Sequence, residues 1–564
     1  MSIAEVSHAS SVASSCSLLG STTTITSTTS QSSPPLKLHG RAFYESIGSP
    51  KLVLAPMVDQ SEFHKNLAGI KFSKITNPSS TLLAYTPMFH SRLFAETPKF
   101  RDAHFQPLRT SLISHSPLPE ADYFLDGNPE LDRPLFVQFC ANNPQELLAA
   151  AKYVSPFCDA VDLNLGCPQG IAKKGKYGAF LQEDQELIYS LINTLHKQLD
   201  IPVTAKIRIL DTKESTLEYA QNLLKAGASI ITVHGRTREM KGHKTGLADW
   251  NVIRFLRDNL PSDTVIFANG NILKNEDIAR CLEVTGADAV MSAEGNLCDP
   301  AIFAPLPKLG EEGREFWRGR DGKGGWRMDA VFRRYMDIIY KYVLKVTPPE
   351  RKPLYLPSDP EPDYEREAIM KTRKREMESA SDELAPDKKK QKKGKTEKTN
   401  NPNLLAMQAH LFHLLRALVS RHHHVRDALA RCRAGDIIAF ESVLKMVEDV
   451  VRDGLKQYND TQGKSWDEEF EQDKRLKADY YLNPQKDGRN SLTDNLQGQE
   501  KGNEEAHQLL DESSFKTVKA CKRPWWVVQP HIRPLPNEAL AHGSWALSKK
   551  DKKAIEATKI SHLE

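Results

Sequence analysis

A single cysteine occupies the chemically most distinctive position in this chain. The segment AVDLNLGCPQGIAKKGKYGAFL, residues Ala160–Leu181, begins as an apolar strand and stops at Gly166, Cys167 and Pro168. Polar and basic side chains accompany the cysteine in the sequence: Asn164, Lys173, Lys174 and Lys176. An unperturbed thiol has a pKa of about 8.5 and therefore keeps its proton at neutral pH. We interpret Cys167 as a catalytic proton donor, although its position alone would also suit a nucleophile or a redox thiol.

The elements that must position this cysteine alternate regularly along the chain. Eight short apolar runs bounded by turn residues are predicted to be strands: Lys51–Ala55, Thr81–Tyr85, Leu135–Phe139, Ala160–Leu165, Val203–Ile209, Ser229–Val233, Thr264–Ala268 and Asp288–Ser292. Near-continuous hydrophobic runs are typical of strands that are buried on both faces. Amphipathic stretches such as Thr216–Ala226 and Asn275–Thr285 separate most of the runs, and Gly227 and Gly286 follow them as helix C-terminal stops.

This alternation decides the fold class. Strands that alternate with helices pair in parallel through right-handed crossovers. Eight strands within roughly 250 residues predict an α/β fold of the TIM (β/α)8 barrel type. A doubly wound open sheet is the alternative, but it usually carries a glycine-rich turn after its first strand, and the turn here reads APMVDQSE.

Polar groups gather at the carboxyl ends of these runs, where TIM barrels carry their active sites. They include Gln138, Lys206, Arg208, His234, Arg236, Arg238, Asn269, Asn271 and Glu294. Gly270 and Gly295 follow the last two strands and would allow the backbone to approach a phosphate closely. A strand-end lysine such as Lys206 suits the flavin edge that becomes negative on reduction. The pattern therefore favours flavin binding.

Several of these runs resemble the tRNA-dihydrouridine synthases, and most closely the eukaryotic type that acts on positions 16 and 17 of tRNA. The matching runs are APMVDQSE, YTPM, VQFCANNP, DLNLGCPQGIAKKGKYGAFL, KIRI, TVHGRTRE, FANGNI and MSAEGN. The resemblance implies an FMN-containing oxidoreductase that uses NADPH or NADH as a transient hydride donor. Its reaction would reduce the C5–C6 double bond of uridines in the D-loop, with hydride from FMN and a proton from Cys167.

The resemblance also implies roles for individual residues. The FMN contacts would be Pro56, Met57, Val58, Gln138, Lys206, His234, Asn269, Gly270, Asn271, Ala293 and Glu294. The candidates for RNA contact are Asn164, Lys173, Lys174, Lys176, Arg236 and Arg238. Residues Glu62–Ser80 depart from the family because they lack its arginine-rich helix, and we expect an irregular helix with an inserted loop there. No metal is expected, since the eight cysteines include no CxxC pair.

Composition divides the remainder of the chain. Residues 1–40 are rich in Ser and Thr and predict a disordered tail before a barrel at 41–310. Periodic stretches at Asp329–Lys345 and Leu404–Tyr458 predict a small all-α domain, residues 311–346 and 402–460, that the resemblance identifies as tRNA-binding. A basic disordered insert, 347–401, interrupts this domain. Residues 461–564 are predicted to be mostly irregular, with Trp525–Trp526 as a docking anchor.

Charge and cysteine content limit the partners and the compartment. A net charge of +4 means that any affinity for nucleic acid must come from local basic patches. The eight cysteines form no dense framework, which indicates a reducing compartment. We expect a monomer in the cytoplasm or nucleus that binds tRNA and neither a membrane nor an obligate protein partner. A mitochondrial transit peptide is not favoured, because the first arginine is Arg41.

Two other functions fit parts of the pattern. A flavoenzyme that acts on a free pyrimidine would also use a barrel, FMN and an active-site cysteine. A catalytically inert tRNA-binding scaffold would keep the helical domain and the basic segments. The helical extension argues against the first alternative and the intact Cys167, Lys206 and His234 argue against the second.

Overall fold

The structure, a computed structural model, describes residues 37–58, 60–61, 82–109, 123–360, 401–472, 521 and 523–531. Most of the predicted tail, the whole Glu62–Ser80 segment and residues 361–400 of the predicted insert lie outside this range. Among the described residues, no helix is both long enough and apolar enough to cross a bilayer.

The predicted TIM barrel is confirmed. Its eight parallel strands are β1 Leu52–Leu54, β2 Leu82–Tyr85, β4 Leu135–Cys140, β5 Ala160–Leu165, β6 Val203–Arg208, β7 Ala228–His234, β8 Val265–Asn269 and β9 Ala289–Ser292. Pairing of β1 with both β2 and β9, and of β2 with β4, closes the ring. A short extra strand, β3 Phe89–His90, was not predicted and pairs with the carboxyl end of β4.

The outer layer of the barrel consists of helices that cover the strands. These are α2 Ser91–Glu96, α3 Pro98–His104, α4 Pro144–Val154, α5 Gly170–Gly175, α6 Gln185–Gln198, α7 Lys213–Ala226, α8 Trp250–Asn259, α9 Glu276–Thr285 and α10 Glu294–Cys298. The predicted stops are confirmed: Gly227 and Gly286 end α7 and α9 with φ of +106° and +63°. A left-handed backbone of this kind costs a glycine little because it has no Cβ.

One end of the barrel is closed by an apolar helix. Helix α1, Gly40–Ser46, precedes the first strand, and its Phe43 and Tyr44 are buried. The two rings lie 5.9 Å from Phe136 and 5.8 Å from Phe267, inside a cluster that contains the first residues of several strands. The side chains of Phe43 and Tyr44 therefore cover the amino ends of the strands, and the carboxyl ends form the mouth of the barrel.

The predicted helical domain follows the barrel. Its helices are α11 Met328–Ile338, α12 Pro402–Leu405, α13 Met407–Leu414, α14 Arg416–Arg421, α15 His423–Arg431 and α16 Ile437–Asp460. Helix α11 continues as a π-helical segment, Ile339–Leu344. Buried side chains of α11 and α16, including Val331, Phe440 and Val447, belong to one apolar core.

Three segments differ from the sequence prediction. The glycine-rich connector forms an antiparallel hairpin of β10 Phe316–Arg318 and β11 Gly324–Trp326. Residues 347–360, assigned to the insert, pack on the helical domain, because Arg351 forms ion pairs with Asp337 and Glu441 and Leu354 is buried. Residues 464–472 are helical rather than irregular.

The tryptophan pair near the C-terminus packs on the helical domain, as its sequence predicted. Trp526 is only 3% exposed, and its carbonyl accepts a hydrogen bond from the Met328 amide at 2.9 Å. Its ring centre lies 5.8 Å from that of Trp317 and 6.0 Å from that of Tyr458. Residues Trp526, Val527 and Val528 therefore form part of the apolar core, although they are distant from it in the chain.

We expect Trp526→Ala to lower the free energy of unfolding by about 3–5 kcal/mol, because it leaves a large cavity in a packed core. Trp525 is half-buried, and Trp525→Ala should cost no more than about 2 kcal/mol. Urea unfolding followed by far-ultraviolet circular dichroism measures both values. A smaller loss for Trp526→Ala than for Trp525→Ala would contradict this packing.

Candidate active site at the barrel mouth

The loop after β5 holds Cys167 in a fixed position. The side-chain oxygen of Asn164 accepts hydrogen bonds from the amides of Gly166 at 3.1 Å and Cys167 at 2.9 Å. The amide of Ala179 donates to the Cys167 carbonyl at 3.1 Å. Gly178 has φ of +66°, and a Cβ there would lie 2.9 Å from the Cys167 Cβ. The half-buried thiol is therefore fixed by its backbone from both sides of the loop.

A chain of buried hydrogen bonds lies beneath this loop. Asn164 donates through Nδ2 to Gln138 Oε1 at 2.8 Å, and Gln138 donates through Nε2 to Asp162 Oδ2 at 2.8 Å. The Thr204 hydroxyl donates to the other oxygen of Asp162 at 2.6 Å. Burial raises the pKa of Asp162 from 3.8 to about 6, although its hydrogen bonds and Lys206 oppose this shift. Both ends of the Gln138 amide are thus occupied by neighbours within the protein.

Lys206 brings a positive charge to the mouth. Its backbone pairs in register with Asn164, and its side chain is half-buried. The pKa of Lys206 is lowered from 10.5 to about 8, first by burial and then by the charge of Arg208. Asp162 and an ionised Cys167 act in the opposite direction. The ammonium group and a thiolate at Cys167 would therefore stabilise each other.

The loops after β7 and β8 are joined by one buried guanidinium group. Arg236 donates to His234 Nε2 at 2.9 Å, so that nitrogen must act as the acceptor, and to Asn271 Oδ1 at 2.6 Å. It also donates to the carbonyls of Thr245 and Gly246. Gly270 has φ of +111°, and a Cβ there would lie 2.6 Å from the Ala248 Cβ. This part of the mouth is closely packed and rigid.

Comparison with known proteins identifies the family. Residues 38–320 match the model of the dihydrouridine synthase (Dus) family. The chain belongs to the dihydrouridine synthase family.

Several relatives of this chain share the same name. The tRNA-dihydrouridine(16/17) synthase [NAD(P)(+)] of Schizosaccharomyces pombe is 39% identical over 504 residues, which cover 88% of this chain and 92% of that protein. The protein of the same name in Saccharomyces cerevisiae is 52% identical over 303 residues, 54% of this chain and 63% of that protein. A rat relative of this type is 44% identical over 268 residues and is covered to 55% of its length.

Within this family fold, the other predicted cofactor residues also lie at the mouth. Pro56 and Met57 are half-buried after β1, and Val58 is 54% exposed. Asn269 is buried and donates through Nδ2 to the Met291 carbonyl at 2.9 Å, which joins the ends of β8 and β9. Ala293 and Glu294 follow β9, where Ala293 is half-buried and Glu294 is exposed.

Two arginines predicted to contact RNA are instead bonded within the protein. Arg236 is 4% exposed, and its guanidinium group is surrounded by the acceptors named above. Arg238 forms ion pairs with Glu183 and Glu239 and donates to the Ala179 carbonyl at 3.1 Å. A sequence cannot show several of these acceptors, because they are backbone carbonyls: Thr245 and Gly246 of the same loop and Ala179 of another. We leave both arginines out of the proposed RNA surface.

The sequence analysis assigned no role to two residues that support the cysteine loop. Arg208 donates to the Gly166 carbonyl at 2.8 Å and to the Thr237 carbonyl at 2.9 Å, so it links the loops after β5 and β7. Asp162 was not singled out, although a carboxylate within the apolar run AVDLNL is itself a signal of a buried polar network.

We expect Arg236→Lys to lower the free energy of unfolding by about 3 kcal/mol, because one ammonium group cannot replace a guanidinium fork with four acceptors. Lys174→Ala, at an exposed position, serves as the control and should change stability by no more than about 0.5 kcal/mol. Thermal unfolding measures both. Unchanged stability in Arg236→Lys together with weaker RNA binding would restore the sequence-based assignment.

Proposed function

We infer that this chain is a tRNA-dihydrouridine synthase that reduces the C5–C6 double bond of uridines in the tRNA D-loop. FMN is its bound cofactor, NADPH or NADH its reductant, and Cys167 its proton donor. The observation that carries the proposal is a half-buried thiol, fixed by Asn164 and Ala179, at a barrel mouth that also contains Lys206. The names of the relatives support the substrate and the positions 16 and 17.

The groups at the mouth fit FMN. The half-buried ammonium of Lys206 suits a ring edge that gains negative charge. The loops after β8 and β9 contain Gly270 and Gly295, at which a side chain would collide with neighbouring atoms. The residues that would hold FMN are Pro56, Met57, Val58, Lys206, His234, Asn269, Gly270, Asn271, Ala293 and Glu294. Gln138, also predicted from the resemblance, is fully buried and its amide bonds Asn164 and Asp162, so it would support these residues from beneath. When bound, FMN supplies the hydride for C6 of the uracil ring.

Cys167 completes the addition with a proton. Reduction of the double bond requires one proton at C5 for each hydride at C6, and the thiol donates it as a general acid. The sulfur keeps the electron pair of the broken S–H bond and becomes a thiolate. Lys206 stabilises this thiolate, since its charge interacts with that of an ionised Cys167. A proton from solvent then restores the thiol.

Basic side chains near the mouth suit the backbone of tRNA. Lys173, Lys174 and Lys176 are exposed in and after helix α5, which follows Cys167 directly. Exposed arginines also occur along α14 and α15 of the helical domain, for example Arg416 and Arg431. A uridine in folded RNA must leave its stack to enter a barrel, and phosphate contacts on the rim would hold the RNA meanwhile.

We expect Cys167→Ala to keep bound FMN and tRNA affinity but to lose nearly all dihydrouridine formation, because the proton donor is absent. Flavin absorbance, tRNA binding and mass spectrometry of the modified tRNA measure the three properties. Cys158→Ala is the control, since that cysteine is buried outside the mouth. Near-normal product from Cys167→Ala would refute the assignment, and product on free uridine alone would favour the pyrimidine oxidoreductase.

We expect the triple change Lys173→Gln, Lys174→Gln and Lys176→Gln to weaken tRNA binding. The slope of the binding constant against salt concentration should fall by the equivalent of up to about three phosphate contacts. Glutamine removes the charge and keeps a similar side-chain length. The matched control changes Lys152, Lys197 and Lys225 to Gln, which are exposed in the last turns of outer helices. Equal losses in the two triple variants would show that tRNA does not use this rim.

A further inference from the structure

We propose that Asp162 is a positioning residue that orients the Cys167 loop through Gln138 and Asn164. The inference rests on the proposed function, because it assigns a part in the same reaction. In this hydrogen-bond chain, the Asp162 carboxylate is not bonded directly to Cys167. It acts through two amide side chains that lie between them.

The direction of every hydrogen bond in this chain is fixed by its two ends. At one end, the backbone amides of Gly166 and Cys167 can only donate, so Asn164 must present its oxygen to them. The Asn164 nitrogen then points away and donates to the Gln138 oxygen. At the other end, an ionised Asp162 can only accept, and it receives the Gln138 nitrogen.

The carboxylate therefore prevents the amides from rotating by half a turn. A rotated Gln138 would direct its nitrogen at the Asn164 nitrogen and its oxygen at the Asp162 oxygen, which gives two repulsive contacts. A rotated Asn164 would direct its nitrogen at two backbone amides. The orientation of the Gln138 amide fixes that of the Asn164 amide, so removal of the acceptor at Asp162 allows Gln138 to rotate first.

Packing alone does not account for this chain. Asp162 and Gln138 are fully buried, and Thr204 is nearly so. Apolar residues fill the interior elsewhere in the barrel, for example Phe136 of β4 and Phe267 of β8. A buried ion is costly unless it is paired and hydrogen-bonded, and replacement by apolar residues is often neutral for stability. A role in positioning explains why a hydrogen-bond acceptor is placed at the base of the mouth.

The expected consequence is a defect in the chemical step rather than in RNA binding. Asp162 lies beneath the mouth and is not exposed, so it cannot touch tRNA. Displacement of a catalytic group by about 1 Å can reduce a rate by about 100-fold. A loss of this origin should appear in kcat, whereas KM for tRNA should stay within about twofold.

The test compares two variants that differ in hydrogen bonding and not in charge. Asp162→Asn can still accept from Gln138 and can donate to Thr204, so the chain survives. Asp162→Leu has a similar volume and neither polar atom. We expect kcat to fall about 100-fold in Asp162→Leu and no more than about tenfold in Asp162→Asn. Asp132→Leu removes a buried carboxylate that bonds the Gly127 amide outside the mouth, and it should leave kcat unchanged.

A second measurement does not depend on turnover. The rate at which iodoacetamide alkylates Cys167, followed by peptide mass spectrometry, reports on the loop itself. We expect alkylation to be several-fold faster in Asp162→Leu than in wild type, because the loop has lost its support, and near wild type in Asp162→Asn. If Asp162→Leu does not fold, Gln138→Met interrupts the same chain one residue closer to the thiol and should give the same acceleration.

The outcomes separate the two proposals. Equal kcat and alkylation rates in wild type and Asp162→Leu would overturn the positioning role. A loss in Asp162→Asn as large as that in Asp162→Leu would also overturn it, because the charge alone would then matter. A wild-type protein that binds FMN and tRNA but forms no dihydrouridine would refute the proposed function, while the alkylation rates would still test the positioning role.

Discussion

The constraint on which the site depends is that buried polar groups must be paired inside a barrel core. The Asn164 oxygen pairs the two amides that the β5 chain exposes as it turns at Gly166 and Cys167. Without it, these amides would lie half-buried without the side-chain acceptor that they have here, at a cost of about 1–3 kcal/mol each. The same hydrogen bonds that satisfy the turn also fix the thiol, so stability and chemistry have one structural cause at this position.

The barrel separates the remaining tasks between its two ends. Phe43 and Tyr44 cover the amino end with buried rings, and the Tyr44 hydroxyl donates to the Asp288 carbonyl at 3.2 Å. At the other end, guanidinium groups connect the loops: Arg208 joins those after β5 and β7, and Arg236 joins those after β7 and β8. A guanidinium suits this work because its donors form a fixed planar fork that reaches several carbonyls at once. These two guanidinium groups therefore fix the loops of the mouth relative to one another.

The sequence predicted the scaffold well because hydrophobic runs and glycine stops are local signals. All eight barrel strands and the left-handed ends at Gly227 and Gly286 depend on such signals. The hairpin Phe316–Trp326 was missed because glycine weakens the strand pattern, and the bridge between Arg327, the next residue, and Val527 depends on residues far along the chain. The bonding of Arg236 within the protein was missed for a similar reason, since two of its four acceptors are backbone carbonyls that carry no residue-type information.

Burial divides the lysines near Cys167 into two chemical classes. Lys206 is half-buried, and its pKa is lowered to about 8. Because a buried charge is less screened by water, its ammonium group interacts strongly with nearby anions. Lys173, Lys174 and Lys176 are exposed, so solvent and salt screen them, which suits reversible contact with phosphates. Lys206 lies on β6, which pairs with β5, and the three exposed lysines lie in and after helix α5, which follows β5. In the proposed reaction, the exposed lysines bind the RNA backbone through screened, reversible contacts, and Lys206 stabilises the thiolate at short range.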